Sequence, residues 1–170
     1  MVRISALTMI FVLSVALISC SDNSNKPNSK FKGVQIGAIT YSWRSMPGTP
    51  QDIIDYCVQA GISSIELMGN VVEEYAGAPA MPSRPGRRGE MSAEQRDSIR
   101  QVFAEAREKQ IEWRLSNAPS DKYIELKKMF DNAGINIHIV KFSPANWSDE
   151  EIDYAFESAK IFGAEGVSNE

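Results

Sequence analysis

One junction recurs along this chain and sets most of what it can become: a helical stretch stops at a glycine and aliphatic residues at once open a strand. Gln59-Ala60-Gly61-Ile62, Asn132-Ala133-Gly134-Ile135 and Ile161-Phe162-Gly163-Ala164 all have this form. Glycine belongs just past a helix end, where the left-handed conformation costs it nothing. Gly134 and Gly163 lie 29 residues apart, about one strand-helix unit, while Gly61 and Gly134 lie 73 apart, one such unit lengthened by 44 residues. Short β-rich runs alternating with helices predict parallel strands joined by crossover helices.

The extra residues form an insertion at about 70–115, which passes through a Pro/Gly-rich stretch at 76–89 and continues as a polar helix. Ser92 with Gln95 three residues on marks a capping box before it, and Ile99, Val102, Phe103 and Ala106 carry its apolar stripe. The remaining elements follow from the junctions. The first strand is expected over 34–41. The first helix starts at Thr49, an N-cap with Pro50 behind it, and places Ile54, Cys57, Val58 and Gly61 on one face. Cys57 then reads as a small buried hydrophobe. A second strand covers 64–68, and a helix over 121–133 buries Ile124, Leu126, Met129 and Phe130. The third strand is 135–142. Ser148 caps the next helix with Glu151 three residues further, and a fourth strand begins at Gly166.

Units of this length and order suit an open doubly wound sheet or a closed (β/α)8 barrel. No G-x-G-x-x-G or P-loop follows the first strand, where the chain reads Ala38-Ile39-Thr40-Tyr41-Ser42-Trp43. The expected fold class is therefore α/β, an incomplete TIM barrel of about four parallel strands over residues 33–170, since a full barrel takes roughly 250 residues.

The first residues read as an address. After Arg3, residues 4–18 are almost wholly apolar, and 15 residues suit a signal h-region better than a membrane span. Leu17-Ile18-Ser19-Cys20 resembles the lipobox of bacterial lipoproteins, which implies a signal peptide at 1–19, lipidation of Cys20 and a membrane attachment through that lipid. An ordinary secretory signal with an incidental cysteine is the alternative. Either reading exports the protein, and the lipoprotein reading places it in the periplasm or at the outer membrane of a bacterium. Residues 20–32, polar and containing Pro27, read as a flexible tether. With 18 basic against 22 acidic residues, nothing supplies the field that a nucleic acid partner would need. Two cysteines make no disulfide framework, and one histidine excludes a metal site built mainly of imidazoles.

Ala60-Gly61-Ile62-Ser63-Ser64-Ile65-Glu66-Leu67, with Gly37-Ala38-Ile39-Thr40-Tyr41-Ser42 before it, resembles the opening of the sugar phosphate isomerase/epimerase family, the xylose isomerase-like TIM barrels. The stretches 132–142 and 149–160 resemble an exported branch of that family. The resemblance implies paired carboxylates that move a proton at the carbon beside a carbonyl. It also implies a divalent metal (Mn, Mg, Co or Zn) held by carboxylates and a histidine on later strands. Those strands are not among these residues, so the chain is expected to be inactive alone. Export favours a free sugar, keto-sugar or glycoside over a phosphorylated one.

Barrel chemistry sits at the C-terminal ends of strands. Glu66 lies in an apolar run, where a carboxylate is costly unless paired or functional, so it is a catalytic candidate or a group that holds strands together. Lys141 ends the third strand in period-two register with Ile135, Ile137 and Ile139, which brings its ammonium to the mouth, as a catalytic candidate that orients a substrate oxygen or steadies an enolate, or as a solvated surface charge. Glu170, at the end of the fourth strand, is a third catalytic candidate. His138 points away from Lys141 and is either a packed histidine or a substrate contact. Tyr41 and Trp43 would give a stacking wall for a sugar ring. Arg84, Arg87 and Arg88 stand in the Pro/Gly-rich loop, as a solvated cluster or a closing lid, and Trp113-Arg114 is read as packing the inserted helix. The function expected is a carbohydrate isomerase or epimerase. A keto-sugar lyase or hydratase would use the same enolate chemistry, and a lipid-anchored sugar- or partner-binding barrel needs none. A truncated reading frame, or two half-barrels closing as a homodimer, also fits.

Overall fold

The structure is a computed structural model that describes residues 26–83, 91–116, 121–142 and 145–169. Strands β1 (Lys30–Phe31) and β2 (Val34–Gln35) form a small antiparallel hairpin. There follow β3 (Ala38–Ile39), a 3-10 turn (Thr40–Trp43), α1 (Pro50–Ala60), β4 (Ser64–Met68) and α2 (Gly69–Tyr75). The chain continues through α3 (Ala93–Ser116), α4 (Asp121–Ala133), β5 (Asn136–Lys141), α5 (Asp149–Phe162) and β6 (Gly166–Ser168). Four strands form one parallel sheet in the order β3-β4-β5-β6, so the protein is α/β with its strands side by side in chain order.

The helix boundaries are set by local chemistry. Thr49 and Asp52 close a reciprocal capping box before α1, and Ser148 and Glu151 do the same before α5. Ser92 and Gln95 exchange equivalent bonds of 3.2 and 2.9 Å ahead of α3, which runs unbroken to Ser116. Gly61 and Gly163 end α1 and α5 with φ of 69° and 66°, the left-handed caps expected of the recurrent junction.

Residues from α1, α4 and α5 share a single core with Ile65, Leu67, Ile137 and Val140 of the central strands, so these helices cover the same side of the sheet. Successive right-handed crossovers in an unreversed strand order produce this arrangement. The other side bears Glu66, Met68 and Lys141 and has no helix on it among the described residues.

Four details depart from the sequence reading. The first strand is broken: 34–35 turns back on 30–31, and only 38–39 joins the parallel sheet. Gly37 is the reason for the join, because a Cβ there would stand 3.0 Å from the Ser64 carbonyl oxygen. The α1 face is rotated, with Ile53, Ile54 and Cys57 buried while Val58 is exposed. In α4 the buried set is Tyr123, Leu126 and Phe130, and Ile124 faces solvent. Tyr123 can displace an isoleucine from the core because its hydroxyl is paired with that of Tyr154. Finally, β5 does not keep period two. The pairing jumps from Ile65↔Ile137 to Glu66↔Ile139, a bulge at His138 that buries Ile137 and Val140 three residues apart.

The polar stretch 20–32 is described from Lys26 onward, and its end is part of the fold: the Ser29 amide donates to Ser63 Oγ at 3.0 Å and the Ser63 amide to Ser29 Oγ at 2.9 Å. The signal segment, Cys20, Arg84, Arg87, Arg88 and Glu170 lie outside the described residues.

Candidate functional site

The bulge in β5 decides where Lys141 goes. With strict alternation Lys141 would share a face with Ile135 and Ile137, which are buried against the helices. The extra residue moves it to the opposite face, in register with Met68 on one side and Ser168 on the other. Glu66 lies two residues before Met68 and so projects to the same face. Its carboxylate reaches across β5, where Ser168 Oγ donates to Oε1 at 2.5 Å. The Glu66 carboxylate and the Ser168 hydroxyl thus meet over the C-terminal half of the central strands, and Lys141 stands in register with Ser168 on that face. Lys141 is 5% exposed, so its charge lies in a protected setting.

Glu66 also lines a cleft of about 500 Å³ at the other end of this face, together with Gln35, Ser64, Asn136, His138 and Glu165. Here His138 Nδ1 stands 3.4 Å from Glu165 Oε1, and the Glu165 amide donates to the His138 carbonyl at 2.8 Å. His138 therefore lines the N-terminal end of the face that also carries Lys141, not the opposite side that strict alternation predicts, because the bulge falls at His138 itself. Glu66 is the one residue that touches both ends.

Tyr41 and Trp43 stand elsewhere. The 3-10 turn carries them into a groove of about 1130 Å³ on the helix side of the rim, between α1 and α2, with Met129 of α4 contributing. Trp43 packs its ring 5.8 Å from that of Tyr56, and the Arg44 guanidinium lies 4.7 Å over Tyr41. The structure thus brings Glu66, Lys141 and His138 to one face and sets the two aromatic residues in a neighbouring recess.

Two features escaped the sequence. Ser168 gave no signal, since its role depends on Glu66 arriving from 102 residues away. The second is a buried ionic cluster under the rim. Arg114 grips Glu73 with two bonds of 2.6 and 3.0 Å and donates to Glu151 at 2.9 Å, and its guanidinium lies 3.9 Å over the Trp147 ring. Glu73 and Glu151 are each 2% exposed. Burial works against the guanidinium charge, but the hydrogen bonds and attraction of Glu73, then Glu151, outweigh it and hold its pKa above the ordinary arginine value. Arg114 packs the inserted helix, as read from the sequence, but onto Trp147 rather than its neighbour Trp113.

Among the described residues no three His, Cys, Asp or Glu side chains group to hold a metal ion. No described helix is long and apolar enough to cross a membrane. Comparison with protein-family models, with curated protein sequences and with solved structures finds no match.

Proposed function

We propose that the four parallel strands are staves of a (β/α)8 barrel of the xylose isomerase-like type, and that their open face carries a carbohydrate isomerase or epimerase site. The unreversed strand order supports the barrel: doubly wound sheets bind at a point where the order reverses and helices change sides, and this sheet has neither. The observation that carries the chemistry is Glu66 held by Ser168 with Lys141 in the same register.

The steps follow from the charges. Glu66 takes a proton from the carbon beside a sugar carbonyl, and the electron pair of that C–H bond becomes an enolate. The Lys141 ammonium stands by the enolate oxygen, where charge develops, and the protected setting strengthens that attraction. Ser168 holds the carboxylate in one orientation. To exchange the carbonyl position, the proton of the neighbouring hydroxyl passes to the enolate oxygen and Glu66 returns its own proton to the former carbonyl carbon; to invert the centre, an acid on the other face of the sugar delivers a proton to the carbon that lost one. A divalent cation would polarise the carbonyl, but the described residues offer no set to hold it. The lipobox-like Leu17-Ile18-Ser19-Cys20 supports an exported, lipid-anchored protein acting on a non-phosphorylated sugar.

Solvent exchange tests the first half of this reaction alone, without groups from further strands. Free ketoses and keto-sugars in D2O should gain deuterium beside the carbonyl with the full chain, and Glu66→Gln should slow this by about 100-fold or more. No exchange with any of these sugars, or full exchange by Glu66→Gln, overturns the proposal and leaves a binding protein.

A further inference from the structure

The groove beside the open face is far larger than one hexose requires, for clefts of about 300–1,000 Å³ already enclose drug-sized ligands and this one measures about 1130 Å³. It is also continuous with the face that carries Glu66. Met68 lies two residues beyond Glu66, in register with Lys141, and lines the groove as well. Thr40 is the other joint: it follows Ile39, which pairs with Glu66, and its Oγ1 accepts the Met68 amide at 3.0 Å.

The lining tells which chemistry fits. Three of its polar side chains are already engaged. Thr49 Oγ1 donates to Asp52 at 2.5 Å, Gln51 donates to Asp55 at 2.8 Å, and Arg44 lies over Tyr41 and donates to that residue's carbonyl at 3.5 Å. Most of what the groove offers a ligand is apolar, the ring of Trp43, the thioethers of Met46, Met68 and Met129 and the aliphatic floor of Ile53 and Val71, with Asn70 and Glu74 of α2 as the polar groups beside them. A second sugar ring would bring hydroxyls with few partners, whereas a planar apolar group would stack on the ring and settle against the adaptable methionines.

Taking the proton-transfer reading as its basis, we infer that the substrate is the glycoside of a keto-sugar, its carbonyl at a ring carbon because the anomeric carbon is closed by the aglycone: the keto-sugar lies over Glu66 and Lys141, and an aromatic or apolar aglycone occupies the Trp43 groove. This gives Tyr41 and Trp43 a different task from stacking on the reacting ring.

Calorimetry and tryptophan fluorescence on the full chain, with phenyl β-glucoside and glucose as probes, test it. Phenyl β-glucoside should bind about tenfold or more tightly than glucose. Trp43→Phe should keep that margin and Trp43→Ala should lose it. Met129→Gln, which places an amide in the apolar wall from another helix, should reduce it too, so the test does not rest on one variant's folding. Equal affinity for the two probes, or a margin that survives both Trp43→Ala and Met129→Gln, overturns the inference. If ketoses exchange deuterium while the phenyl group adds no affinity, the glycoside assignment falls and the proton-transfer reading stands. If the phenyl margin depends on Trp43 but no sugar exchanges, the groove is a glycoside site and the proton-transfer reading falls.

Discussion

Cys57 shows how far burial alone can shift a side chain's chemistry. It is a free thiol with no exposed surface, and desolvation pushes its pKa up to about 11. The unfolded chain releases that proton near pH 9, so the folded state is favoured below this value and loses the advantage as pH rises toward 11. The full difference is about 3 kcal/mol. Urea midpoints measured at pH 8 and pH 10.5 should therefore fall more steeply for the native protein than for Cys57→Ala. The buried tyrosines Tyr123 and Tyr154, also raised by burial, supply the decline that remains in the variant. Glu66 is the contrasting case at this scale. It too sits in an apolar run, but Ser168 satisfies one of its oxygens. Removing that hydroxyl leaves the carboxylate in place without its anchor. Ser168→Ala should accordingly slow deuterium exchange by about tenfold, less than Glu66→Gln does.

At the scale of elements, the inserted helix α3 is a polar rod tied down near its C-terminal end. Arg114 is its buried side chain, and two carboxylates from α2 and α5 converge on it. Truncating the arginine strands Glu73 and Glu151 without a cation, a change that costs about 3–5 kcal/mol in buried pairs. Arg114→Met should lower the thermal midpoint sharply, and adding Glu73→Gln with Glu151→Gln should restore much of the loss by removing the orphaned charges. Equal midpoints for the single and triple variants would show that packing on Trp147, not charge, holds α3. The helices themselves were legible because caps and glycine stops are local: Thr49, Ser92 and Ser148 act within three residues. The face each helix buries was less so. Val58 and Ile124 lie outside the core because their neighbours pack better against a sheet whose shape no helix encodes.

Taken whole, the described residues form a parallel sheet with α1, α4 and α5 packed on one side. β4 and β5 are paired on both edges, whereas β3 and β6 are each paired on one. Amide exchange should be slowest in β4 and β5 and fastest in β3 and β6, with α1, α4 and α5 between, because opening an edge strand breaks fewer contacts. Uniform protection across all four strands would show that a further layer, such as a second copy, covers the edges. The amino-acid order by itself determined most of the succession of strands and helices, the 30–35 hairpin and α2 excepted, since glycine caps, capping boxes and runs of apolar residues are properties of short stretches. Only the tertiary structure decided which residues share the open face. A single bulge at His138 turns Lys141 from the covered side to the open one, and Ser168 becomes a partner of Glu66 only when three strands lie side by side. Side-chain direction in a strand flips with each residue, so a one-residue irregularity, invisible in composition, redistributes the chemistry of the whole face.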